Sequence, residues 1–327
     1  MKKKSEILPN NICFITHQLE HLHNVSVSVS FKAGSLYESK YNNGISHLVE
    51  HLFFRQLSDL SQESLYFNMQ KIGGEITGKT YCDYVTFSIN VIPQYLYDAL
   101  DIMLKFFDDF EWSSSIILKE KEVVLRQIEN KAYSYNQWID SIYFHNIKYT
   151  LPIMGTKKTV KSLTAFEINS WKKEYFSPAN SCVTITGNFS NEFYDFLKQK
   201  LSIINNFGKK QDPIIEIAPN FTKRNSVNYL TVINADSKLS EVVVLFDIKN
   251  SFDYESVKLI TSILSDGCGS KLSMIMREKY QLTDDIFTQL TSYCGFHRYS
   301  ISYTVKNKNI FNSIDTVSYT HLTLPTI

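Results

Sequence analysis

The chain has 327 residues, 43% of them apolar, and carries 34 Lys and Arg against 33 Asp and Glu, for a formal charge of +1. That length and content suit two ordinary domains and exclude a disordered chain, and the even charge balance argues against nucleic acid or an anionic membrane as partner. Five scattered cysteines form no C-x-x-C pair, and no apolar run reaches the ~18 residues of a spanning helix, so the sequence reads as a soluble, cytoplasmic protein without a disulfide framework.

Lys2 to Lys4 read as a solvated tail. Residues 12–17 and 24–32 read as strands, and in the second Val25, Val27, Val29 and Phe31 alternate with serines and so share one buried face. Asn42-Asn43-Gly44 supplies loop chemistry, so a helix is expected to begin near Gly44 or Ile45. Inside that helix His47 and His51 are four residues apart on one face, with Glu50 beside them. Two imidazoles and a carboxylate make half a zinc site, and the order H-x-x-E-H is the inverse of the commoner H-E-x-x-H. Histidines at this spacing also occur by chance; the apolar context of Ile45, Leu48, Leu52, Phe53 and Phe54 favours the metal reading, because a buried acid needs a partner.

A second helix is expected over 61–71, then Gly73-Gly74 and a strand pair at 75–80 and 83–92. Helical spacing follows from Gln94 to Phe107, and a long helix from Trp112-Ser113 to about Trp138. Residues 151–156 read as a loop, 164–176 as a helix capped by Thr164, 182–186 as a strand and 190–204 as a helix. Asn205 to Pro219 is the linker candidate, which places the domains at 1–207 and 208–327. In the second domain strands are expected near 228–234, 240–248, 286–293 and 297–306, with helices at 252–264 and 270–280. This order echoes residues 12–92 and suggests two similar domains. A last helix at 309–317 is expected to be cut short, with SYTHLTLPTI fitting no element and the second domain incomplete. The fold class is α+β, each domain a mostly antiparallel sheet with helices on one face.

Catalytic zinc usually takes three protein ligands, so a carboxylate from elsewhere is needed. The long helix offers Glu120, Glu122 and Glu129, and its stripe Glu120, Val123, Val124 and Gln127 is expected to face the metal helix.

At this point the sequence resembles the pitrilysin family of zinc peptidases, the inverzincins that include insulin-degrading enzyme, the mitochondrial processing peptidases and core-protein relatives of the respiratory chain. The residues that carry the resemblance are Gly34-Ser35 with Glu38, the run from Gly44 to Phe54, Gly73-Gly74, Pro152, Gly155-Thr156, Tyr175 to Asn180, Gly187-Asn188-Phe189, and Gly267 to Lys279. The resemblance implies that His47 and His51 are zinc ligands, Glu50 the general base and Glu120 a supporting acid. It also implies that the third ligand lies seven residues beyond Glu120, where this chain has Gln127, a neutral donor. Glu129 is two residues further, about 200° around the helix, and should point away. Thr77-Gly78 stand where relatives have Asn-Ala on the edge strand that pairs substrate, Arg277 is kept as a substrate contact, and Asp284 replaces a tyrosine. The implied function is a zinc endopeptidase acting on short or unfolded peptides, working as a homodimer or with a related subunit. The alternative is a non-catalytic partner subunit that has lost a ligand at Gln127 and binds peptides or an active homologue.

Overall fold

The computed structural model describes residues 2–130, 139–140, 144, 147–205, 207–212, 237–248, 254–265, 267, 269–293 and 296–322. The chain divides into two compact units, Met1–Ile214 and Ile215–Ile327.

In the first unit six strands form one sheet: β1 (Lys2–Ile7), β2 (Cys13–Gln18), β3 (Val25–Phe31), β6 (Glu75–Thr80), β7 (Val85–Val91) and β8 (Ser181–Gly187). Their spatial order is β1-β2-β8-β3-β7-β6. Every neighbouring pair is antiparallel except β2 and β8. The alternation in β3 fixes its faces. Val25, Val27, Val29 and Phe31 are fully buried, while Ser28 and Ser30 on the opposite face donate across to Ser88 and Thr86 on β7 at 2.8 and 2.9 Å. The apolar face is covered by α1 (Ile45–Arg55) and α3 (Leu96–Leu104), with α2 (Gln62–Lys71) and α4 (Ser114–Asn130) packed around α1. A two-stranded ribbon, β4 (Gln56–Leu57) and β5 (Leu60–Ser61), links α1 to α2.

Phe53 anchors α1 in this core. Its ring lies 5.1–5.5 Å from those of Trp112, Phe87, Phe106 and Phe176, contacts of the tilted and edge-on kind that add to the burial of a large ring. The helix that carries the two histidines is therefore held from its inner side, leaving its other side for chemistry.

The lysine-rich N-terminus is not the expected solvated tail. Lys2–Ile7 pairs along its length with β2. Glu6 ties it down by accepting from Tyr194 at 2.6 Å and Lys198 at 2.5 Å on the helix Asn191–Ser202, and Lys4 stacks on the Tyr194 ring. Helix α4 is described to Asn130; its expected continuation to Trp138 lies outside the described residues.

In the second unit the described strands β9 (Leu239–Ile248), β10 (Ile286–Tyr293) and β11 (Phe296–Lys306) form an antiparallel sheet in the order β10-β11-β9. A strand expected near 228–234 falls outside the described residues. The helix expected at 270–280 is instead one α-turn, Lys271–Ser273, followed by a π-helical stretch, Met274–Lys279. The last helix is longer than expected, Ile310–Leu322, because Ser313 and Val317, one turn apart, are both buried and carry the helix on into SYTHL.

Candidate metal centre

Gly44 precedes α1 with φ +94, and a Cβ there would lie 2.7 Å from Gly155 Cα and from Met154 O, so only glycine lets the loop 152–156 close against the start of the helix. Gly44 offers no side chain to cap α1. Glu38 caps it from a distance: its fully buried carboxylate accepts from Gly44 N at 2.7 Å, Ser46 N at 2.9 Å and Asn43 Nδ2 at 2.9 Å. Burial pushes the Glu38 pKa up, against the pull of these donors.

From that start, His47 and His51 follow one turn apart with their ring centroids 4.6 Å from each other. Helix α4 supplies the facing groups. Gln127 Oε1 lies 3.4 Å from His47 Nε2, and Glu120 Oε1 lies 3.0 Å from His51 Nδ1. An ionised carboxylate only accepts, so Nδ1 of His51 carries a proton, and in the neutral ring the lone pair is then on Nε2. Glu120 Oε2 accepts from Arg55 Nε at 2.9 Å. Burial opposes ionisation of Glu120, but His51 and Arg55 outweigh it and hold its pKa below the usual carboxylate value.

Glu50 lies between α1 and the edge strand β6. Its Oε2 accepts from Thr80 Oγ1 at 2.5 Å and sits 3.4 Å from His47 Nδ1. Burial again works against the charge, and His47 and Thr80 prevail, lowering its pKa. Its Oε1 faces Gly78, where a Cβ would come within 2.9 Å of that oxygen and 2.4 Å of the Phe54 ring. A cavity of about 250 Å³ opens here, lined by Glu50, His51, Arg55 and Glu120 on its polar side and by Phe54 and Tyr66 on its apolar side.

The structure thus brings His47, Glu50, His51, Glu120, Gln127 and Gly78 together. Thr77 is adjacent in sequence, but strand alternation puts its side chain on the face opposite Gly78 and Thr80, so only its backbone belongs to this side. Arg277 lies in the second unit, half exposed, with Nε 3.4 Å from Glu278. Glu129 points away as its helical phase requires, pairing with Lys157 at 3.1 Å. Thr80 and Arg55, which donate to the carboxylates, and Gln62, which accepts from Arg55, were not singled out by sequence reasoning; Arg55 carries a signal in its i+4 spacing from His51.

Among the described residues no three His, Cys, Asp or Glu side chains converge as a metal-holding group. The position that the resemblance assigns to a third ligand holds Gln127, a neutral amide. One observation nevertheless fits an ion. His47 Nε2 and Gln127 Oε1 face each other at 3.4 Å, too far apart for a good hydrogen bond. The 3.4 Å gap matches the ~3.3–3.4 Å edge between two ligands of a tetrahedral zinc with ~2.0–2.1 Å bonds.

Comparison with known proteins gives two matches in consecutive register: residues 14–157 match the family model described as insulinase (peptidase family M16), and residues 162–319 the one described as peptidase M16 inactive domain. A zinc protease of Rickettsia felis is 24% identical over 285 residues, 84% of this chain and 66% of its own length. The mitochondrial-processing peptidase subunit beta of Saccharomyces cerevisiae is 24% identical over 169 residues, 50% of this chain and 36% of its own length. The chain spans 46–66% of the length of the curated zinc proteases it matches. A protease from Helicobacter pylori has the same fold, with a TM-score of 0.77 at 18% identity, covering 97% of this chain and 79% of its own.

Proposed function

This chain belongs to the insulinase family of peptidases, family M16, and we propose that it acts as one part of a zinc-dependent endopeptidase that hydrolyses short or unfolded peptides. The observation that supports this best is the convergence of His47, His51, Glu50 and Glu120 from two helices beside the edge strand β6.

In this reading His47, His51 and Gln127 hold the ion. When bound, zinc supplies a Lewis acid that polarises the scissile carbonyl and makes the attacking water more acidic. Glu50 takes the proton from that water and returns it to the leaving amine. Its two oxygens divide the work. Oε2 is fixed by Thr80, while Oε1 faces the cavity, with room secured by the missing side chain of Gly78. Glu120 keeps His51 in one tautomer, so Nε2 is the nitrogen presented to the ion. Edge strand β6 offers the outward-facing backbone N–H and C=O groups of alternate residues around Thr77 and Gly78 to an extended peptide. Arg277 is a substrate contact by resemblance to the family. Because one relative is a named subunit, a related chain or a second copy is the proposed partner.

The test is metal analysis of the purified protein with peptide-library cleavage by wild type and Glu50→Gln. About one zinc per chain, and cleavage abolished by Glu50→Gln, is the expected result. Cleavage that survives Glu50→Gln overturns the assignment.

One observation favours a second reading. With a neutral amide in the third position and no third anionic or imidazole ligand among the described residues, the site suits a partner subunit that binds peptide without cutting it. Absence of zinc in wild type, restored by Gln127→Glu, would decide for that reading.

A further inference from the structure

On α1 the residues His47, His51 and Arg55 recur every fourth position and form one stripe. The first two face Gln127 and Glu120 on α4; the third reaches the same Glu120 from the other side. Glu120 is therefore shared, with Oε1 on His51 Nδ1 at 3.0 Å and Oε2 on Arg55 Nε at 2.9 Å. Arg55 is in turn held by α2, donating from Nη1 to Gln62 Oε1 at 2.7 Å.

We propose that Arg55, steadied by Gln62, is a positioning residue for the metal centre: it fixes the plane of the Glu120 carboxylate, which fixes the tautomer and ring orientation of His51. This rests on the reading of His51 as a metal ligand. A carboxylate bonded through one oxygen turns about its terminal torsion, which is broad and soft. Bonding both oxygens to groups on α1 removes that freedom. The Glu120 side chain is only 8% exposed, so without Arg55 its carboxylate would keep the His51 N–H as its main partner and could turn about its terminal torsion, leaving the His51 ring without a fixed acceptor plane. Arg55 does not touch the reacting atoms; it acts through Glu120. The bland reading, that Arg55 and Glu120 merely pin α1 to α4, predicts a loss of stability but no change at His51.

The experiment uses the full chain with 15N-labelled histidine, metal-free at about pH 8.5, and long-range 1H–15N spectra that report which ring nitrogen of His51 carries the proton. Zinc affinity is measured alongside by chelator competition, and unfolding by circular dichroism. Wild type should show His51 protonated at Nδ1 alone. Arg55→Met, which keeps the apolar stem, should give a mixture of tautomers and zinc affinity lower by ~10–100-fold, the usual loss when an outer partner of a ligand is removed. Arg55→Lys should recover part of both, and Gln62→Leu should produce a smaller change in the same direction. If Arg55→Met fails to fold, Gln62→Leu and Arg55→Lys carry the test. Wild-type tautomer and affinity in the folded variants would overturn the proposal. If wild type binds no zinc yet Arg55→Met scrambles the tautomer, Arg55 keeps its positioning role and the peptidase reading fails instead.

Discussion

Replacing Glu38 by alanine should loosen the metal helix at its start. The carboxylate takes three donors, Gly44 N, Ser46 N and Asn43 Nδ2, all within 2.9 Å and all in a site without solvent. Each buried donor left without a partner costs ~1–3 kcal/mol, so the low end of the sum is ~3 kcal/mol. The relief of no longer burying a carboxylate offsets part of any larger figure. For a unit of 150–250 residues a loss of 1 kcal/mol lowers the melting temperature by ~2–4 °C, so Glu38→Ala should melt ~6–12 °C early. Glu38→Gln separates the acceptor count from the charge. Oε2 serves both Gly44 and Asn43 while Oε1 serves Ser46, so a glutamine with its carbonyl at the Oε2 place keeps two bonds of three and should lose about a third as much. Thermal melts followed by circular dichroism give the order wild type, Gln, Ala. Equal losses for Ala and Gln, or an alanine loss below about 1 kcal/mol, would show that water takes over the cap and that the argument from unsatisfied donors is wrong.

Other outcomes follow from the same geometry. Gln127→Glu adds an anionic donor opposite His47 and should raise zinc affinity at least ~10-fold, read by chelator competition; unchanged affinity would place the third ligand elsewhere. Thr80→Val removes the donor to Glu50 Oε2, a bond to a charged group worth ~1.5–3 kcal/mol, so kcat on a peptide substrate should fall ~10–100-fold while Thr80→Ser stays near wild type. Burial pushes the Lys172 ammonium down to about 8, although it donates to the carbonyls of Asp108 and Phe110. The folded chain then binds fewer protons than the unfolded one between pH 8 and 10.5, so this residue's contribution to stability rises with pH across that window, by at most ~3 kcal/mol. Measured by denaturation midpoint from pH 7 to 10, wild type should gain stability relative to Lys172→Met as Lys172 is neutralised. A difference independent of pH would mean that Lys172 keeps its charge.

Much of this centre is legible in the sequence because helices repeat. His47 and His51 share a face by their spacing, Gln127 follows Glu120 by two turns, and the same phase that brings Gln127 inward sends Glu129 out to Lys157. What escapes is set by contacts between elements. Thr80 reaches Glu50 only because β6 runs beside α1, and Gln62 reaches Arg55 only because the β4–β5 ribbon folds α2 back. Glu38 is marked by resemblance alone; its capping role depends on a loop closing over six to eight residues, which no periodicity reveals. The N-terminal strand escapes because Lys2 to Lys4 read as solvated, and Lys3 and Lys4 are indeed exposed, yet the backbone of this run pairs with β2 whatever the side chains prefer. The π-helical turn at Met274–Lys279 was missed because one extra residue per turn hardly alters an apolar pattern this short.

Gln127 changes how the centre should behave more than whether its parts are present. Glu120 is shared with Arg55, so its charge is already answered by a guanidinium, and Gln127 adds only a neutral amide. Glu50 answers to Thr80 and His47 rather than to a guanidinium. Neutral donors hold a dication less firmly but cancel less of its charge, so polarisation of a bound carbonyl should not suffer as affinity does. The expected signature is activity that depends steeply on free zinc and approaches a normal kcat at saturation. Gln127→Glu should shift that dependence to lower zinc while leaving the plateau level or lower. A variant that instead raises the plateau many-fold would mean that the amide costs the chain its chemistry as well as its metal, and would move the balance to the partner-subunit reading.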